Sequence, residues 1–436
     1  MPLPGGRGSQ ESATDFDRRP SPPNNAPMRI LHTADWHLND RLGRIDRTDD
    51  LRAAVVRVGD LCREQAVDVL IVAGDLFSEL ARPDALRETI RHWQDVFAPF
   101  LEQGGTILTL TGNHDNENFC QTLCHAMSLA APTVGRPGEL VPPGRLYLAA
   151  DPTFLRLKAP RGDFDVQFML MPYPTPTHYL KGETGQKYVA PEEKNKLLVR
   201  AFEDTIQTLR AHPKYDVTVP GVLCAHANVY GAVVGKSLFR ISEAEDVVVN
   251  GEAFADQFAY VALGHIHKPQ ALGHDHIRYS GSIEKMDLGE QNDVKSVTVF
   301  EVGPTGRSGD IVQLPLPSTP VYELNIRDPD VDLPRLKEEY AGAERDLVNL
   351  HITYTAGKHN LEEVLRELGT LFPRWYARDW TETSQLGATL APGVADRGKS
   401  FAETVRDYLT QELLAHPETD KDELLRLTDE LIQGLE

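Results

Sequence analysis

The chain has 436 residues, room for two or three domains, and its 41% hydrophobic and 25% charged residues exclude wholesale disorder, a collagen-like repeat and a disulfide-stapled mini-protein. Lys+Arg number 45 and Asp+Glu 65, a formal net charge of -20, and a chain this acidic should repel a polyanion at long range. The first inference from charge is therefore against nucleic acid. In chain order, residues 1–27 hold six prolines and three glycines with almost nothing to bury, and predict a disordered N-terminal extension. They lack the apolar core of a secretory signal, and no apolar run in the chain approaches the ~20 residues that span a bilayer. Cys62, Cys120, Cys124 and Cys224 form no C-x-x-C pair and read as reduced thiols, which fits a cytoplasmic setting.

From residue 28 to about 302, short apolar runs alternate with helical patterns. Arg29–Ala34, Val67–Ala73, Thr106–Leu110, Val217–Ala225, Tyr260–Leu263 and residues 294–302 are strand-like and nearly continuously apolar, as in strands buried on both faces. Leu51, Val55, Val58 and Cys62 recur at helical spacing, and Ala85–Leu101 predicts a second helix closed by Gly104 and Gly105. This alternation predicts a layered α/β domain over 28–315. The pattern restarts after residue 315. Val321–Ile326 and Leu347–Tyr354 alternate like strands and Leu361–Leu371 repeats like a helix, so 316–385 predicts a small α+β domain. Residues 386–399, rich in Gly, Ala and Pro, read as a linker. Residues 400–436 predict two helices: Ser400 and Glu403 can form a capping box, and Pro417 separates two apolar stripes.

Polar residues follow each strand of the first domain. The first strand ends in Asp35-Trp36-His37, the second in Gly74-Asp75 and the third in Gly112-Asn113-His114-Asp115. The fourth ends in His226 and the fifth in Gly264-His265-Ile266-His267. Ligands gather beyond the carboxyl ends of strands in α/β sheets, so neighbouring strands would deliver these side chains to one cleft. Two carboxylates, an amide oxygen and several imidazoles without thiolate suit Mn, Fe or Zn, and they are too many for one ion. Two ions a few ångströms apart would use them all. Each piece alone is weak: His226 by itself would read as a satisfied core histidine, and a Gly-Asp at a strand end as a turn. Asp115 reads equally as an acceptor orienting His114 or as a helix N-cap. The other ten of the fifteen histidines form no comparable set.

The series DxH, GD, GNHD, H, GHxH resembles the calcineurin-like metallophosphoesterases. HTADWHL at 32–38, VAGDLF at 72–77, GHIHKPQ from residue 264 and YSGSIEKMDLGE from residue 279 resemble, more narrowly, the SbcD-type nucleases of double-strand-break repair. The resemblance implies a β-sandwich flanked by helices, with the small domain capping the DNA. It implies one metal on Asp35, His37 and His267, a second on Asn113, His226 and His265, and Asp75 bridging them. It gives His114 the leaving group, Mn2+ as the ion, and phosphodiester hydrolysis by water that both ions activate. It further implies Mn-dependent exonuclease action on duplex ends, endonuclease action on single strands or hairpins, a homodimer, and a nucleoid-associated place in the cytoplasm. Two positions depart from the pattern: Asn39 stands where many relatives have glycine, and Ser78 where archaeal and eukaryotic relatives often have histidine.

Residues 401–436 hold ten acidic and three basic residues, a net of -7, so over a third of the excess acid lies in this tail. An acidic amphipathic helical pair can fold back on its own chain or dock a partner. The resemblance implies the latter, with residues 400–436 binding the coiled coil of an SbcC-type ATPase. Two other readings remain: a phosphodiesterase or phosphatase of another substrate on the same metals, and a non-catalytic scaffold on the same fold. The motifs overturn the first inference from charge, because two divalent ions against Asp35 and Asp75 leave the cleft locally positive.

Overall fold

The computed structural model describes residues 26–78, 83–130, 138, 140–180, 191–234, 247–383, 421 and 424–428. The predicted linker at 386–399 and all but these few residues of 1–27 and 400–436 lie outside the described residues; Lys421 and 424–428 are helical. The chain divides into two compact units. One runs from residue 1 to Leu42 and over Asp46–Thr319; the other holds Gly43–Ile45 and the chain from Pro320 onward.

In the first unit, β1 (Met28–Thr33), α1 (Thr48–Glu64), β2 (Val69–Val72), α2 (Pro83–Glu102), β3 (Thr106–Leu110), α3 (Glu117–Ala130) and β4 (Leu146–Ala149) follow in order. Then come β5 (Thr153–Lys158), β6 (Asp165–Met171), α4 (Pro191–Arg210), β7 (Gly221–His226), β8 (Tyr260–Gly264), β9 (Gln270–Leu272) and β10 (His274–Tyr279). The long β11 (Ser296–Gly303) and β12 (Gly306–Pro315) close the unit. One six-stranded sheet has the order β12-β11-β1-β2-β3-β4, with β1 to β4 parallel; the other has the order β9-β10-β8-β7-β6-β5, parallel from β6 through β7 and β8 to β10.

Alternate side chains explain the continuous apolar runs. Ile30, Ile71 and Leu108 join Phe168, Val222 and Ala262 in a core between the two sheets. Their neighbours Leu31, Leu70 and Ile107 face outward and pack with Leu51, Val58 and Phe97 of α1 and α2. On the far side Leu223, Val261 and Leu263 pack with Leu198, Phe202 and Ile206 of α4. The unit is thus a β-sandwich flanked by helices, and strands apolar on both faces are what that requires.

In the second unit, β13 (Val321–Ile326), α5 (Pro329–Glu339), β14 (Leu347–Thr355), α6 (Leu361–Leu371) and β15 (Trp375–Thr383) form a three-stranded parallel sheet, order β13-β14-β15, with its own core of Ile326, Leu336, Leu350, Ile352, Val364 and Leu368. Asp328 caps α5 by accepting from Asp330 N, and Asn360 caps α6 by accepting from Glu363 N.

Candidate metal centre

The site lies where β1, β2, β3, β7 and β8 end. The loops after β1 and β2 are laced by backbone bonds: Asp35 N donates to Gly74 O at 3.1 Å, and Trp36 N and His37 N both donate to Asp75 O at 2.8 and 2.9 Å. Trp36, fully buried, stacks on Phe97 and donates Nε1–H to Thr33. This anchors the residue between Asp35 and His37. Six non-glycine residues among those described have positive φ, and four are expected ligands: Asp35 (52°), His37 (42°), Asp75 (51°) and His265 (101°). Such left-handed backbone costs about 1–3 kcal/mol per residue and concentrates at functional sites. Asn39 is a fifth, at 72°, a conformation asparagine tolerates better than most residues and glycine best.

Two groups of side chains offer ligand atoms that all lie within 4.8 Å of one another: Asp35, His37 and His267, and Asp35, Asp75 and His226. Asp75 Oδ2 lies 3.7 Å from His37 Nε2 and 3.2 Å from His226 Nε2, so it stands between an imidazole of each set. Asn113 Oδ1 meets His226 Nε2 at 3.1 Å and His265 Nδ1 at 2.9 Å. His226 gives Nδ1–H to Ala73 O at 2.7 Å, so Nε2 is the nitrogen that faces Asp75 and Asn113 and that a bound ion would take. The structure therefore brings together all seven residues expected to hold metal. The eighth, His114, is half-buried, with its ring 5.0 Å from that of His37 and its backbone N–H on Asp75 Oδ1 at 2.8 Å.

The electrostatics show what the cluster accepts. Burial pushes the Asp35 carboxyl up despite nearby His226 and His267. Burial also opposes ionisation of Asp75, but His226, His37 and His114 outweigh it and hold Asp75 well below the carboxylate range. His226 is pushed up to about 9: burial favours its neutral form, but the carboxylates of Asp75 and Asp35 outweigh that. Burial lowers His37 to about 3. Asp35 Oδ1 accepts from His265 N at 2.9 Å, while Oδ2 is buried without a hydrogen-bond partner. A buried carboxylate oxygen without a donor, ringed by imidazole nitrogens, is where a cation satisfies what hydrogen bonds do not. The donor set fits divalent ions.

Asp115 is not the N-cap of α3. Its carboxylate accepts from Gly112 N (2.8 Å), Phe77 N (2.9 Å) and Leu76 N (3.2 Å), clamping the loop after β3 to the loop after β2. Burial and the charge of Asp75 push it up to about 7. Asn116 caps α3 instead, accepting from Phe119 N. Ser78, where some relatives have histidine, donates to Asp40. His274 and His276 lie on the hairpin strand β10. Sequence reasoning missed Glu290, whose Oε1 meets His267 Nδ1 at 2.8 Å, and Tyr173, whose ring lies 5.5 Å from that of His265. Glu290 sits inside the YSGSIEKMDLGE stretch, but nothing in the stretch shows burial. Asp328, Asp330 and His359 also converge in the second unit. There Thr355 N donates to His359 Nδ1 at 2.9 Å, leaving the proton on Nε2, and Lys358 pairs with both carboxylates at 3.1 Å, so the group is an ion-pair cluster.

The family model for calcineurin-like phosphoesterases matches residues 28–269, more than half of the chain. The chain belongs to the calcineurin-like phosphoesterases. Membership of this phosphoesterase family makes it a metal-dependent phosphodiesterase, a hydrolase. Two relatives are named as the SbcD component of the nuclease SbcCD. That from Bacillus subtilis is 25% identical over 284 residues, 64% of this chain and 67% of its own. That from Rhodobacter capsulatus is 27% identical over 298 residues, 66% of this chain and 70% of its own. A solved dimetal phosphatase from Danio rerio, 12% identical, matches 67% of this chain and 100% of that one with a TM-score of 0.36.

Proposed function

We propose that the protein is a Mn-dependent DNA nuclease acting in double-strand-break repair with an SbcC-type ATPase. The observation that carries the reading is Asp35 shared by two ligand groups, with Asp75 standing between an imidazole of each. The names of the two relatives supply the substrate class and the partner. Asp35, His37 and His267 would hold one ion, and Asn113, His226 and His265 the other, with Asp75 touching both. Divalent ions held there would supply a nucleophile from water at neutral pH and offset charge on the phosphorus oxygens. His114 gives a hydrogen bond or proton to the leaving oxygen, and Asp115 holds the loop that carries His114 in register with Asp75.

The experiment is cleavage of linear duplex and single-stranded DNA with Mn2+, beside a generic phosphodiester and a phosphomonoester. DNA should be cut with Mn2+ and spared with chelator. Hydrolysis of the small esters alone would favour a phosphatase or small phosphodiesterase, and no hydrolysis at all a scaffold.

The same reading gives the partner residues 400–436 and gives the chain a second copy of itself. Only the resemblance carries that second copy, and α2 and α3, the helices after β2 and β3, are its candidate faces. Sedimentation would report it as twice the chain mass. No helix among the described residues is long and apolar enough to cross a membrane. A cytoplasmic, nucleoid-associated place belongs to this same reading.

A further inference from the structure

We propose that Glu290 and Lys295 are positioning residues, a buried pair that holds His267 in one tautomer and one orientation toward Asp35 and His37. The inference rests on the metal reading above. Glu290 Oε1 faces His267 Nδ1 at 2.8 Å. An ionised carboxylate only accepts, so Nδ1 carries a proton, and in the neutral ring Nε2 is the nitrogen with the lone pair. That Nε2 lies 3.1 Å from His37 Nε2, inside the group completed by Asp35.

The other oxygen of Glu290 is fully engaged. It accepts from Lys295 Nζ at 2.6 Å and Met286 N at 3.0 Å. The carboxylate can therefore neither rotate nor drift from His267 without breaking these bonds. Lys295 has a second task. Its Nζ donates to His267 O at 2.9 Å, and Ser282 N donates to the same carbonyl at 3.1 Å. Ring and backbone of one ligand are thus held by one network.

Burial makes the pair informative. Glu290 is 2% and Lys295 0% exposed, and Lys295 directly precedes β11, whose residues are nearly all buried. Taking two charges out of water costs several kcal/mol per ion, and an apolar pair of similar volume would serve stability as well or better. A task specific to His267 accounts for what stability does not. Imidazole ligands commonly have their second nitrogen fixed this way, and losing the partner costs about 10–100-fold in metal affinity. His226 uses a neutral carbonyl, Ala73 O, for the same purpose. His226 and His267 are therefore held unequally, the first by a neutral carbonyl and the second by a charged pair.

The test is Mn2+ titration of the full chain, with free Mn2+ counted by electron paramagnetic resonance, for wild type, Glu290→Gln and Lys295→Met. Wild type should take up two ions. Glu290→Gln should weaken one of them about 10–100-fold and leave the other unchanged, with a smaller loss in the same step for Lys295→Met. Equal weakening of both ions, or unchanged affinity for both, would overturn the inference and leave the metal reading standing. A wild type that takes up no ion would overturn the metal reading and this inference with it. Should the variants not fold, ¹⁵N spectra of histidine-labelled wild type at alkaline pH still decide: the expected His267 is protonated at Nδ1, and a ring protonated at Nε2 overturns the proposal.

Discussion

The side chain of His114 stands apart from the other seven site residues in what depends on it. The backbone N–H of residue 114 donates to Asp75 Oδ1 at 2.8 Å, and alanine keeps that bond. His114→Ala should therefore leave Mn2+ stoichiometry unchanged while lowering cleavage by about 10²–10⁴-fold, the usual worth of a positioned acid. Elemental analysis beside a nuclease assay measures both. Wild-type cutting by the variant would remove His114 from the chemistry, and loss of an ion would make it a ligand. The residues proposed to carry this chemistry stood out in the sequence because each sits just beyond a strand end, and the structure brings them together there. The clamp made by Asp115 and the support from Glu290 and Lys295 did not, because this work depends on burial and on partners up to 39 positions away along the chain.

At the scale of elements, the strands of the two sheets approach closely where they end. Gly264 ends β8, pairs with His226 at the end of β7, and lies against the residue that follows β2. A Cβ on Gly264 would stand 1.9 Å from Ala73 O and 2.9 Å from His226 Nδ1. Ala73 O is the carbonyl that fixes the His226 tautomer, so the methyl would strike the bond that orients a ligand. Gly264→Ala should cost about 1–3 kcal/mol by overpacking and also weaken uptake of the ion near His226. Thermal unfolding in chelator reads the first effect, Mn2+ titration the second; an unshifted variant with intact uptake would show that the sheets can separate there. Strands were legible where runs were apolar on both faces, as in Thr106–Leu110, which the structure reproduces residue for residue. Val217 was drawn into the fourth strand by its apolar side chain, yet it is 71% exposed in the turn that Asp216 closes by accepting from Thr218 N. β5 and β6 escaped notice, because Thr153–Lys158 mixes polar and apolar residues and its partner Asp165–Met171 opens on a charge.

Charge is a property of the whole molecule, and it divides in a way that separates two of the proposed partners. Of the net -20, residues 401–436 carry -7. Long-range repulsion of DNA scales with that total, whereas the cleft becomes positive only when two divalent ions offset Asp35 and Asp75. DNA affinity of the chain by itself should therefore be weak, salt-sensitive and dependent on divalent ions. Deleting residues 400–436 lightens the repulsion and leaves the ligand set intact. Binding of an SbcC-type coiled coil should then vanish, while Mn-dependent cleavage persists and DNA affinity at low salt holds or rises. Pull-down with the partner and fluorescence anisotropy with labelled DNA, using His114→Ala to prevent cutting, read the two effects separately. A truncated chain that still binds the partner would place the docking surface elsewhere, and one that loses DNA along with the partner would make the acidic tail part of the DNA grip despite its charge.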